Sequence, residues 1–254
     1  MRSVRVLTVA AAAAALLAGC AGEATVGRGQ PADRLAATAP GSPTARPAGN
    51  GVAALPPDQI VSRARLALSK AATVRIRADV RSAGQPVRMD LRIVGSRGAI
   101  GTMTVDGQTF QLLRIGKAAY IKATEAVWRK LGAGAGASLL VGKWVKVSTK
   151  DKDFADVITF TDIAAFSKEV FDQGLVGTPA SSRVTLRGLD AVKLADPNGN
   201  SLYVAAGTGQ PYPLRLQSLA PKSDSGTIDF LDFNRPVQLS LPPAGQVVDT
   251  TTGR

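Results

Sequence analysis

The sequence predicts an α+β fold, a curled antiparallel half-barrel β-sheet with helices covering its concave face. Three observations lead there. Apolar and charged residues alternate with a period of two over 74–81 and 87–93, the pattern of strands buried on one face and solvated on the other. Asp-Gly at 106–107 and Asn-Gly at 198–199 separate runs of this kind, as tight hairpin turns do. Helical periodicity is confined to a few segments between blocks of strands, so the strand-helix alternation of a doubly wound α/β sheet is missing.

The globular pattern opens with a helix. Pro56 and Pro57 lead into Asp58, and Ile60, Ala64, Ala67, Leu68 and Ala71 then fall on one face. The runs 74–81 and 87–93 follow as a hairpin around Gly84, and segments 99–105, 110–115 and 118–122 extend it into a meander joined by Asp106-Gly107 and Gly116-Lys117. A middle section breaks this rhythm. Residues 125–131 look helical, 132–137 read as a flexible loop, and 143–147 return to a strand. Helical turns are expected over 154–158 and again over 163–171, the latter capped by Thr161-Asp162. Strands then resume over 183–187, 191–195, 201–206, 214–219, 227–233 and 237–241.

Before the globular part lies a different kind of chain. Arg2 and Arg5 precede an apolar run over 6–18 with Thr8 as its polar member, and Leu17-Ala18-Gly19-Cys20 closes it. The run is shorter than the roughly 20 residues a spanning helix needs, and it ends at small residues directly before the sole cysteine. Residues 1–19 therefore read as a lipoprotein signal peptide, with Cys20 as the acylated, palmitate-bearing first residue of the mature chain. Residues 20–54, rich in Ala, Gly, Pro, Ser and Thr without apolar period, read as a tether. Residues 55–254 form one domain. The expected location is extracytoplasmic, lipid-anchored on the outer face of the cell membrane.

Composition removes most catalytic chemistry. The chain has 0 His and 1 Cys, so a Ser-His-Asp triad, a Cys-His pair, a His-ligated metal and a thiolate cage all lack their residues. No nucleophile elbow or Ser-x-x-Lys pattern stands in their place. No enzyme, no metal and no cofactor is expected. The net charge of +12 suits anionic headgroups or simple solubility, because its Lys and Arg are scattered along strands. Nucleic acid is not an expected partner outside the cell.

A curled sheet under helices raises the question of what fills the space between them. Val74, Ile76, Val80, Met89, Leu91, Ile93, Met103 and Val105 from the sheet, with Phe166 and Val170 from a helix, either pack as core or line an apolar cavity. Small residues at strand positions, Ala99, Ala118, Ala119 and Ala123 among them, leave room for the second outcome.

The lipobox, the Pro/Gly/Ala tether, the helix and meander, the middle Trp region, the run from Gly209 to Leu216, the ending Phe230-Leu231-Asp232-Phe233 and the stretch 237–243 together resemble the LppX/LprG family of actinobacterial lipoproteins. That family is similar in fold to the LolA/LolB lipoprotein carriers. The resemblance implies an apolar cavity that holds the acyl chains of lipids or lipoglycans. It also implies carriage of such lipids across the cell envelope, in some members alongside an efflux-type membrane transporter. By the same resemblance the strand carrying Gly101, Met103 and Val105 faces the cavity, so that a Trp at Gly101 obstructs it. The segment 150–160 has no counterpart in the family pattern. The competing reading is an adaptor or sensor lipoprotein with a filled core, docking a protein partner through its sheet edge or basic face.

Weaker motifs have plainer readings. Gly132-Ala133-Gly134-Ala135-Gly136 lacks the spacing of a nucleotide loop and reads as a flexible loop or lid hinge. Asp196-Pro197-Asn198-Gly199-Asn200 has its Gly at the wrong position for a calcium loop and reads as a turn. Trp128 and Trp144 suit partial burial or a place at a cavity mouth, and Asp151 and Asp153 around Lys152 suit a solvated loop.

Overall fold

A computed structural model describes residues 49–82, 84–148, 160–172, 175, 177–219 and 225–250. Its strands run β1 (Val74–Ser82), β2 (Gln85–Val94), β3 (Gly98–Val105), β4 (Gln108–Ile115), β5 (Ala118–Ala123), β6 (Trp144–Ser148), β7 (Ala180–Leu186), β8 (Leu189–Ala195), β9 (Ser201–Ala205), β10 (Pro213–Ser218), β11 (Gly226–Leu231) and β12 (Val247–Asp249). They form a 12-stranded sheet in the order β12-β6-β5-β4-β3-β2-β1-β11-β10-β9-β8-β7. Two meanders, β1 to β6 and β7 to β11, meet where β1 pairs antiparallel with β11. The sheet is open, with β12 and β7 at its edges. Helices α1 (Pro57–Ser69), α2 (Glu125–Lys130) and α3 (Ile163–Asp172) complete the α+β fold that the sequence predicts.

Local chemistry explains these boundaries. Pro57 at the first position of α1 has no N–H to leave unsatisfied, and Ile60, Ala64, Ala67 and Leu68 supply its buried stripe. Asp162 caps α3: its Oδ1 accepts from the amides of Ala164 and Ala165 at 2.9 and 3.0 Å. The β3–β4 turn has positive φ at both Asp106 (51°) and Gly107 (70°), as a tight hairpin of this hand requires.

Register divides the sheet into two chemically distinct faces. On the inward face Phe230, Ile76, Leu91, Gly101, Leu112, Ile121 and Val145 stand in one row from β11 to β6. The outward row one residue along carries Arg215, Asp229, Arg77, Asp90, Thr102, Gln111 and Lys122. The alternation of Val74 to Arg81 is thus a division between core and water.

Four expectations are corrected. Residues 49–54, assigned to the tether by composition, belong to the fold: Asn50 donates its amide to Gly207 O and its Nδ2 to Ala205 O, and Val52 is wholly buried in a short 3-10 helix (Val52–Ala54). The Gly-rich stretch after α2 is ordered as a 3-10 helix (Gly134–Leu140), because its small residues let the chain turn back and bury Ala137. The stretch 237–241 is no strand. It belongs to a strap that runs from β11 to β12, where Val247, Val248 and Asp249 pair in parallel with Trp144, Val145 and Lys146. The Leu239 side chain lies beside Gly98 at the start of β3. Trp128 is buried beyond any partial exposure, while Trp144 is half-buried as expected. Cys20, the expected helix at 154–158 and the charges at 151–153 lie outside the described residues.

Candidate functional site

The sequence nominated one face of the sheet, and the structure assembles it. Ile76, Leu91 and Gly101 are register partners across β1, β2 and β3, with Val74 and Ile93 in the row above and Met89 and Met103 in the row below. Phe166 of α3 joins the same buried cluster, where its ring meets Phe230 edge-on at 6.2 Å. Val80 and Val170 pack at its margin. Val105 is the outlier: 37 % exposed, it stands at the far end of β3.

This layer is closed. Ile76, Leu91 and Ile93 expose 0 % of their surface and Phe166 2 %, so a water-sized sphere does not touch the middle of the layer. The residues fill the space between sheet and helices. Gly101 is required on steric grounds: a Cβ there would lie 2.1 Å from the Asp90 carbonyl oxygen and 2.8 Å from Leu91 Cα. Its role is close strand contact, and a Trp at this position would have to displace the β2 backbone before it reached the layer.

Helices α1 and α3 pack against each other, and a cleft of about 460 Å³ runs between them, lined by Ser62, Arg65, Leu66 and Ser69 of α1 and Ala164, Ser167 and Lys168 of α3. The lining mixes small side chains, Ser62, Ser69, Ala164 and Ser167, with the longer Arg65, Leu66 and Lys168. Ser167 Oγ is buried without a hydrogen-bond partner among the described residues. The helices are clasped at the rim by Asp172, which pairs with Arg65 at 3.0 Å and with Lys168. This clasp holds the Asp172 carboxyl below the usual range, chiefly through the Lys168 hydrogen bond. Nothing along the chain signals this groove, since helix pairing is a tertiary choice.

A second cleft of about 240 Å³ lies over β1, β2 and β3, where Arg77, Asp79, Arg88, Asp90, Thr102 and Thr104 line it. Its charges are paired among themselves: Arg88 meets Asp79 at 3.3 Å, and Asp90 takes both Arg75 and Arg77. Much of the basic character of this face is neutralised by such pairs, as it is at Asp229, which takes Arg215 and Arg187. The segment Asp196 to Asn200 is a turn: Asp196 Oδ1 accepts from the amides of Asn198 and Asn200, leaving no open oxygen cage. Among the described residues no group of acidic, His or Cys side chains is arranged to hold a metal.

A charged side chain stands in the apolar rows of the sheet. Arg114 points inward from β4, with Ala99 and Ala119 as its register partners. Its Nη1 donates to Gly116 O at 2.9 Å and its Nη2 to Thr161 O at 2.8 Å, just before α3. Burial pushes its pKa below the ordinary arginine value, opposed by the charge of Asp162.

Fold and layer define the class: an α+β protein whose open antiparallel sheet is backed on one face by two clasped helices over a continuous apolar layer. No protein-family model matches the chain. No curated protein matches it either. Among solved structures it is similar to LprF from Mycobacterium bovis, with 16% identity, 72% of this chain and 95% of that chain covered, and a TM-score of 0.48. It is also similar to an uncharacterised conserved protein from Thermus thermophilus, at 13% identity over 76% of this chain and 98% of that one, with a TM-score of 0.35. The Pseudomonas aeruginosa MucA/MucB complex aligns at 12% identity over 74% of this chain and 59% of that one, with a TM-score of 0.28.

Proposed function

We propose that the protein is a cell-envelope lipoprotein, anchored through acylated Cys20, that takes the acyl chains of a lipid or lipoglycan between its sheet and helices and carries them across the envelope. The observation that carries this reading is the apolar layer from Val74 to Met103, backed by α1 and α3. Loading requires α3 to lift, because the layer has no free space when closed. Acyl methylenes then replace the helix's own apolar contacts. Each is worth about 0.8 kcal/mol out of water, so exchange of Phe166 and Ile163 for a multi-chain lipid is thermodynamically feasible without any bond being broken. In this reading the protein is a carrier and not an enzyme, and a membrane transporter is a fitting source or recipient of cargo.

The closed layer favours a second reading. A fully packed core is what an adaptor lipoprotein needs, and β7 offers it an exposed edge with Ser181 and Arg183 on its surface. The test is native mass spectrometry with organic extraction, applied to the full chain carrying Cys20→Ser and purified without detergent. A co-purifying lipid, or an adduct gained from phosphatidylglycerol and phosphatidylethanolamine vesicles, supports the carrier. A bare mass before and after such incubation overturns it in favour of the adaptor.

A further inference from the structure

Arg114 is out of keeping with its surroundings. It stands in the inward row Val74, Ile93, Ala99, Arg114, Ala119 and Val147, where every other member is apolar. It is 8 % exposed, and its Nε is buried with no hydrogen-bond partner among the described residues. Its two hydrogen bonds go to neutral carbonyl oxygens, and among the described residues no carboxylate forms an ion pair with it. A guanidinium cannot shed its proton in a protein, so the charge stays buried; the anion it feels is Asp162, whose Oδ1 is taken by the first amides of α3.

Two other arginines of the same sheet show what is missing. Arg75 presents its Nε and Nη2 edge to Asp90, at 2.8 and 2.6 Å, and Arg215 presents the same edge to Asp229, at 2.7 and 3.0 Å. That edge is the planar fork that takes the two oxygens of an oxyanion. On Arg114 it holds one neutral oxygen, Thr161 O, and one unengaged donor. Thr161 immediately precedes the cap of α3, so the helix that must lift for loading takes this oxygen away with it.

We infer that the amphiphile carried in this layer is anionic, and that the Nε and Nη2 edge of Arg114 holds its phosphate or carboxylate oxyanion in the place of the Thr161 carbonyl. This rests on the carrier reading and adds the chemical class of the cargo. The apolar chains lie over the rows of Ile76 and Met89, and the charged head meets Arg114 at the upper end of the layer.

The test is isothermal titration of the full chain carrying Cys20→Ser, free of detergent, with dodecyl phosphate, dodecanol and inorganic phosphate, each below its aggregation concentration. Dodecyl phosphate should bind at least about tenfold tighter than dodecanol, as charged hydrogen bonds in a buried site allow. Arg114→Gln should erase that preference while sparing dodecanol, and Arg114→Lys should keep part of it. Equal affinity for the two amphiphiles overturns the role of Arg114 and leaves the carrier reading standing. Inorganic phosphate binding as tightly as dodecyl phosphate overturns it in favour of a free-anion site. Binding of neither amphiphile overturns the carrier reading itself. The comparison of amphiphiles on unsubstituted Arg114 decides the matter even where Arg114→Gln does not fold.

Discussion

The guanidinium of Arg75 grips the carboxylate of Asp90 through two parallel bonds, Nε to Oδ1 at 2.8 Å and Nη2 to Oδ2 at 2.6 Å, and so ties β1 to β2 on the outward face. The hydrogen bond to Arg75 holds the Asp90 carboxyl below the usual aspartate value, against burial and with help from the Arg75 charge. Above about pH 4 both folded and unfolded chains keep Asp90 ionised, and the contribution of the pair is complete. As the pH falls below that value the unfolded chain takes up a proton that the folded chain resists, and this stability is lost. Asp90→Asn should therefore cost about 1 kcal/mol in urea unfolding at pH 7, an amount discounted for partial exposure, and less as the pH falls below about 4. An undiminished loss on acidification would show that the pair does not carry the effect.

Leu91 sits at the centre of the apolar layer with no exposed surface. Leu91→Ala should lower the unfolding free energy by about 2–5 kcal/mol, the range for a buried leucine that leaves a cavity behind. A loss under about 1 kcal/mol would mean that the layer collapses freely and is looser than its burial indicates.

At Gly101 the β2 backbone occupies the space a side chain would need. Gly101→Ala should already destabilise by about 1–3 kcal/mol through overpacking, with the urea midpoint lowered and the slope unchanged. Gly101→Trp is accordingly a folding variant before it is a plug, and an undiminished midpoint for Gly101→Ala would refute this steric account.

Asp162 satisfies the first amides of α3. Asp162→Ala should cost about 1 kcal/mol and speed amide hydrogen exchange in α3 more than in α1. Uniform acceleration across both helices would place the effect elsewhere.

Asn234 pins the start of the C-terminal strap: its Oδ1 accepts from Ala72 N at 2.8 Å and its Nδ2 donates to Tyr212 Oη at 2.7 Å. It also adopts φ 58°, a conformation that asparagine tolerates better than alanine. Asn234→Ala should cost about 1–2 kcal/mol in thermal or urea unfolding. No change would show that the stacked pair of Tyr212 and Phe233, 3.9 Å apart, holds the strap unaided.

The hairpins were legible because each had one wet face, which makes a period of two visible. The pattern fails where both faces are buried. In Gln111-Leu112-Leu113-Arg114-Ile115, Leu112 is buried inward and Leu113 outward, so apolar residues run together and hide the direction of Arg114. The signal was there all the same: with Leu112 in the core row, a period of two sends Arg114 to the same side. The strap at 237–241 misled for the converse reason, since Val237 and Leu239 alternate like strand residues without a neighbour to pair with.

By itself the sequence determined the α+β class, the two-faced meander, the α1 and α3 stripes and most of the side chains of the inner layer, Val105 and Arg114 excepted. These follow from the periodicities of 2 and 3.6, which are local properties of the chain. Only the tertiary structure decided that β11 closes on β1, that β12 joins β6 in parallel and that α1 and α3 pair over the layer. It alone decided that the layer is filled and that Arg114 is buried with neutral carbonyl oxygens as its hydrogen-bond partners. Such outcomes depend on which distant surfaces meet, and on whether the space between them is occupied, which no repeat along the chain records.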